Sequence, residues 1–296
     1  MGNKHIQILH DALLMPFDGS MEKFTSGVFL DGRCVASSLI PERSSPAIPA
    51  VHEKTLNGTY IFGGYLFPHY GHFLLESLSR VYAIKTCNTY PLLFLSPNSS
   101  TVFFQRSILK FLSLSNEIIF VKERVLVERL VYSEPGCVIP GYMSDDQINS
   151  LIAFKIENEL QEKIWLSRSA LVNCGGVDNE TVIEDVLEKF GWKIVHPENM
   201  NIYDQVRMIC SARIVAGFDG SAFFNVLFGD KTLGKFIVFG RRNFIDQTIL
   251  NVLSTKNVDY QGVVPKLEYV GGHGAQARFV APDPYAVIET VLQIAG

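Results

Sequence analysis

Two stretches of the chain carry residue types that do chemistry at a usable spacing. The first is Pro68-His69-Tyr70-Gly71-His72-Phe73-Leu74-Leu75-Glu76. His72 and Glu76 stand four residues apart, so on a helix they share one face, which Ser79 or Arg80 would continue. Phe73, Leu74, Leu75 and Leu78 form the apolar side of that helix. An imidazole beside a carboxylate makes a general base held in one orientation, so His72 is the expected base and Glu76 its partner. His69, His72 and Glu76 also fall at i, i+3 and i+7, a spacing a metal ion would accept. No HExxH, DxD or ligand-spaced Cys/His pattern accompanies them, so no metal is expected. A solvated polar face is the plain alternative.

The second stretch runs from Ile214 to Asn225: a strand, a glycine-containing turn and a helix start. Free N–H groups and the helix dipole make such a turn an anion site. Gly217 and Gly220 would admit a diphosphate close to the backbone, and Ser221 adds a hydroxyl donor. Asp219 opposes a phosphate unless it points away or meets a sugar hydroxyl. The spacing is neither GxGxxG nor a Walker loop, so a plain strand-to-helix turn stays open. Arg168 ends one expected strand, and Arg241-Arg242 follow another. Guanidiniums at strand ends can clamp phosphates through two parallel hydrogen bonds. Gln205 opens the helix before the turn, where it either reaches a ligand hydroxyl or caps the helix.

The elements that must position these groups alternate. Residues 1 to about 50, with Pro41, Pro46 and Pro49 among serines, read as irregular. A strand over 58–66, bent at a glycine, leads into a helix from His72. Leu92–Leu95, a helix over 102–113 and short strands at 117–121, 124–127 and 129–133 follow. In the second half, strands at 164–168, 193–196, 213–217 and 235–240 alternate with helices at 180–190, 203–212 and 221–229. Asn179 is the expected cap of the first of these helices, and Gly191 its C-terminal glycine. A last helix covers 285–295. This alternation implies a parallel sheet in each half, with ligands beyond the carboxyl ends of the strands. The expected division is an α/β domain at 1–145 and a second, Rossmann-like domain at 146–296. The last helix is free to pack back on the first half.

Composition narrows the function. The 296 residues are 47% hydrophobic and 19% charged, which suits packed cores and excludes disorder. Lys and Arg total 26 against 30 Asp and Glu, a net charge of −4 without the basic excess of a nucleic-acid binder. Mean hydropathy is +0.17, yet no apolar run reaches the ~18 residues of a membrane span. Met1 to Ile6 lacks the apolar core of a signal peptide. The five scattered cysteines form no CxxC pair and are expected as reduced, mostly buried thiols. These features place the chain in the cytoplasm, at most peripherally on the inner face of the membrane. A dinucleotide enzyme is disfavoured by the missing GxGxxG.

The blocks together resemble glycosyltransferase family 61. The resemblance lies in His69-Tyr70-Gly71-His72-Phe73-Leu74-Leu75-Glu76, in Leu166-Ser167-Arg168, in Asn179-Glu180, in Gly191-Trp192 with Pro197-Glu198, in Gln205-Val206, and in the turn Gly217-Phe218-Asp219-Gly220-Ser221 with Asn225 and Phe228. The ordered match spans about residues 60 to 240. Where the family turn usually has His, this chain has Asp219.

The resemblance implies a GT-B-like α/β fold of two Rossmann-type domains facing a cleft. It also implies an inverting transfer of a sugar from a nucleotide-sugar, here a UDP-sugar, to a glycan acceptor in surface polysaccharide biosynthesis, with no further cofactor. In that scheme His72 and Glu76 are catalytic, and His69 and Tyr70 lie on the acceptor side. Arg168, Gln205, Gly217, Asp219, Gly220, Ser221, Asn225 and Arg241 bind the donor. A binding relative without catalysis is the alternative.

Overall fold

Parallel strands form where the sequence runs apolar without alternation, as at Leu92–Leu95, whose four residues are all buried. The computed structural model describes residues 6–98, 100–158, 160–171, 174–242 and 244–296. The reading of Met1 to His5 lies outside the described residues, as do Ser99 and residues 172 and 173 of the polar loop after Arg168. The chain divides into two compact units, Met1–Leu151 and Ile152–Gly296. The expected division at residue 145 falls at the start of the helix Asp145–Leu151. That helix belongs to the first unit, where Gln147 Nε2 donates to the Leu78 carbonyl at 2.7 Å.

The first unit is a mixed α/β layer. Its sheet runs in the order Arg33–Cys34, Phe24–Leu30, Gln7–Gly19, Val125–Tyr132, Lys54–Tyr65, Leu92–Leu95, Ile118–Val121. The last four are mutually parallel. Gln7–Gly19 pairs antiparallel on both sides, so this sheet differs from the all-parallel Rossmann type. The first fifty residues are therefore not irregular, as their prolines suggested. Pro16 follows Leu14, the last residue paired with Val125–Tyr132, and sits within the register shift between Met15 and Asp18 on the other side. A missing N–H is tolerated at such a place. Residues 124–133 likewise form one strand, Val125–Tyr132, rather than two.

The second unit is a wholly parallel five-stranded sheet, ordered Trp192–Val195, Leu160–Leu166, Ala212–Phe218, Lys235–Phe239, Tyr260–Val263. In chain order this is second, first, third, fourth, fifth, a doubly wound topology whose direction of winding reverses between Leu160–Leu166 and Ala212–Phe218. Trp165, fully buried, centres the core, with its ring 5.6 Å from Phe218 and 5.9 Å from Phe239. The helix Gln247–Thr255, the strand Tyr260–Val263 and the hairpin Glu268–Gly271 with Arg278–Val280 were not anticipated from sequence. The terminal helix Pro284–Ala295 packs on the helix Glu180–Lys189, and its Val287, Ile288 and Val291 enter this unit's core. Gly191 takes φ +76 as a C-terminal glycine should.

Among the described residues no helix is long and apolar enough to cross a membrane. The five cysteines are free thiols, but only Cys137 and Cys210 are buried, and Cys174 is exposed.

Candidate active site

In the first unit, the strand Lys54–Tyr65 delivers the chain to a short loop and then to the turn Tyr70–His72. Two hydrogen bonds fix that loop: Phe67 N–H donates to Ser77 Oγ at 2.9 Å, and Gln105 Nε2 donates to the Phe67 carbonyl at 2.7 Å. The helix then opens into a π turn over Phe73–Ser77, with Leu78 N–H donating to the Phe73 carbonyl. Such wide turns recur at functional sites.

The expected pair comes together on this turn. His72 Nδ1 lies 2.6 Å from Glu76 Oε2. The carboxylate only accepts, so Nδ1 carries a proton, which in the neutral imidazole leaves the lone pair on Nε2. The imidazole is 37% exposed and Glu76 only 8%, so the ring reaches solvent while its carboxylate partner is buried.

Arg43, which sequence reasoning passed over, completes the arrangement. Its Nη1 donates to Glu76 Oε1 at 2.7 Å and to Oε2 at 2.6 Å. Nη1 also lies 3.2 Å from His72 Nδ1, but a protonated Nδ1 has no lone pair to accept with. The three side chains line a cavity of about 210 Å³ within this unit, together with Tyr65, Arg80 and Pro140. Arg43 Nη2 is buried without a partner.

Arg80 lines the same cavity but is held by bonds of its own. It is 4% exposed and donates to the carbonyls of Ser133 and Ser37, with its guanidinium over the Phe62 ring. Gly64 leaves it room, since a Cβ there would stand 2.7 Å from Arg80 Nη1. His69 is exposed with its ring 5.1 Å from that of His72, and the Tyr70 ring packs against Phe104.

In the second unit, the carboxyl ends of Leu160–Leu166 and Ala212–Phe218 carry Ser167-Arg168 and Asp219-Gly220. These are the two strands between which the winding reverses, the place where doubly wound sheets bind ligands. The Arg168 guanidinium rests against Gly220: a Cβ at 220 would stand 2.5 Å from Arg168 Nη1. Gly220 is extended at φ −173, a conformation open to any residue, so a side chain there would contest only the space of the Arg168 guanidinium.

Arg168 Nη2 and Arg241 Nη1 both donate to the Gly175 carbonyl, at 2.9 and 3.0 Å. Burial, and then the charge of Arg241, pulls the Arg168 guanidinium down to about 10. Its Nε is buried without a partner. Two guanidiniums sharing one carbonyl form a cationic cradle that an anion would relieve. Ser221 opens the following 3-10 helix and stays partly exposed.

Other donor candidates turn out to support this cradle. Asp219, 5% exposed at the side chain, accepts from Arg241 Nε at 2.7 Å and from the Asp246 N–H at 3.1 Å, so both of its oxygens are engaged within the protein. Gly217 lies inside the sheet, where a Cβ would meet the Leu166 carbonyl at 2.8 Å. Its missing side chain leaves room for the Leu166 backbone. Asn225 Nδ2 donates to Gln205 Oε1 at 2.8 Å, and Gln205 Nε2 donates to the Met200 carbonyl, so both lock the helix beneath the turn. Arg242 donates to the Gly274 carbonyl.

Asn179 does not cap its helix with its side chain; it bonds the backbone of Ala281 instead. Glu180, expected at the helix's positive end, is buried and accepts from Trp165 Nε1 at 3.0 Å and from the Arg168 N–H at 3.2 Å. Burial, with Glu184 adding repulsion, pushes its carboxyl up to about 7. No group of three His, Cys, Asp or Glu among the described residues is placed to hold a metal ion.

No curated protein matches the chain. A family model described as Glycosyltransferase 61 matches residues 70–234, more than half of the chain. The matched stretch takes in His72, Glu76, Arg168, Gln205 and the turn around Gly220, and it leaves out Arg43 and Arg241. With both halves of the expected chemistry inside one matched stretch, the chain belongs to glycosyltransferase family 61.

Proposed function

We propose that this glycosyltransferase inverts the anomeric centre as it moves a sugar from a nucleotide-sugar, a UDP-sugar first among candidates, to a glycan hydroxyl. His72 Nε2 takes the proton of the acceptor hydroxyl. The freed oxygen attacks the anomeric carbon from the face opposite the diphosphate, and the bond from that carbon to the diphosphate breaks. Arg168, Arg241 and the N–H groups at Gly220-Ser221 offset the charge that develops on the leaving group. In this reading guanidiniums, and no metal ion or cofactor, carry that load. The acceptor belongs to the first unit and the donor to the second, on the GT-B plan. The setting is surface polysaccharide biosynthesis in the cytoplasm, at most at the inner face of the membrane.

The observation that carries the reading is the Arg168 guanidinium lodged against Gly220 where the sheet's winding reverses. The test is a thermal-shift screen against UDP-, GDP-, CMP- and dTDP-sugars, since a ligand of the native state raises its melting temperature. Transfer, with the product's anomeric configuration read by NMR, follows for any sugar nucleotide that binds. Failure of every one to bind or turn over would overturn the proposal. A second reading, binding without turnover, has Asp219 in its favour, because this residue is tied to Arg241 where the family turn usually has His. Tight nucleotide binding with no product on any acceptor would select it.

A further inference from the structure

We infer that Arg43 is a positioning residue for the base: it pins the Glu76 carboxylate so that His72 presents an unprotonated Nε2. The inference rests on the glycosyl-transfer reading above and adds to it a residue outside the family match. Glu76 cannot rely on water, being 8% exposed. A buried carboxylate without a cation protonates or swings toward solvent. Either change removes the anionic acceptor that fixes the proton on His72 Nδ1. Arg43 prevents both by donating to the two carboxylate oxygens at once.

Arg43 can do this because it is itself held. Its Nε donates to the Met21 carbonyl at 2.9 Å, and its guanidinium lies 4.8 Å from the centroid of the Phe67 ring. Glu42, with φ +64, makes the left-handed turn that sends Arg43 inward. Phe67 is fixed in turn by Ser77 and Gln105. Segments around residues 21, 43, 67 and 77 thus lock one carboxylate. Pinning of this kind matters because a misplacement of about 1 Å costs about 100-fold in rate.

The test uses the full chain with Arg43→Met and Arg43→Lys, read by ¹⁵N NMR of the His72 ring and by transfer kinetics. The wild type should show a single Nδ1–H tautomer. Arg43→Met should show a mixture of tautomers and a kcat about 100-fold lower, with acceptor KM within about threefold. Arg43→Lys should restore the single tautomer and most of kcat. Should Arg43→Met fail to fold, Arg43→Gln, which keeps an N–H donor and drops the charge, is read in the same way.

A single tautomer with unchanged kcat in Arg43→Met would overturn the inference. So would a raised acceptor KM at constant kcat, which would make Arg43 a binding group acting through Nη2. The tautomer is readable even if no sugar nucleotide is turned over, so failure of the transfer reading and failure of this inference are distinguishable.

Discussion

Replacing Gly220 by alanine tests the donor cradle with a single methyl group. The backbone there is extended, and alanine adopts that conformation freely. The new Cβ would stand 2.5 Å from Arg168 Nη1 and 3.4 Å from Cζ. Ordinary contact needs about 3.5 Å, so the guanidinium must retreat by about 1 Å. The displaced atoms are the far end of a long side chain, and among the described residues their one bond is that of Nη2 to the Gly175 carbonyl, so the fold should persist with little change in melting temperature. A charge-assisted hydrogen bond to the donor phosphate contributes about 1.5–3 kcal/mol. Its loss corresponds to about a 10- to 100-fold rise in Kd. Calorimetric titration of UDP into wild type and Gly220→Ala measures this directly. A Kd within about twofold of wild type, with the melting temperature unchanged, would show that Arg168 does not reach the donor.

Arg168→Ala should weaken UDP binding at least as much, while a loss confined to kcat would remove Arg168 from donor binding. Asp219→Ala should cost about 3 kcal/mol of stability by urea unfolding, because it leaves Arg241 without its carboxylate. A loss of donor affinity with stability intact would instead make Asp219 a ligand group. The raised Glu180 carboxyl holds its proton longer in the folded chain than in the unfolded one. Its contribution to stability therefore falls as pH rises from 4.5 to about 7, by about 3 kcal/mol, and is level above that. Glu180→Gln keeps the acceptor for Trp165 Nε1 and should gain on wild type across that window; parallel stability curves would contradict this.

Apolar runs such as Leu92–Leu95 and Lys235–Phe239 made the buried strands legible, because a strand covered on both faces needs no alternation. The His72–Glu76 pair and the Arg168 strand end were legible for the same kind of reason: local spacing fixed what they could face. Arg43 was not, since it stands in a proline-bounded turn and meets Glu76 only through tertiary folding. Asp219 and Gln205 show a related limit. Sequence put them beside the turn, but only packing decides whether a polar side chain there faces a ligand or Arg241 and Asn225. Pro46 misled for a physical reason, as a proline that ends the short strand Ser44–Pro46, paired only with Phe24–Leu30, breaks no central ladder. The stretch from Gln247 to Asp283 carries short elements with exposed faces, such as Tyr260–Val263, and its pattern is too weak to read.

The central claim is that His72 removes the acceptor proton while the other unit holds the donor. Turnover and donor Kd measured side by side on His72→Ala test it most directly. The account predicts a kcat lower by about 10²–10⁴-fold with donor Kd within about twofold of wild type. Unchanged turnover, or a loss of donor affinity as large as the loss of turnover, would contradict it.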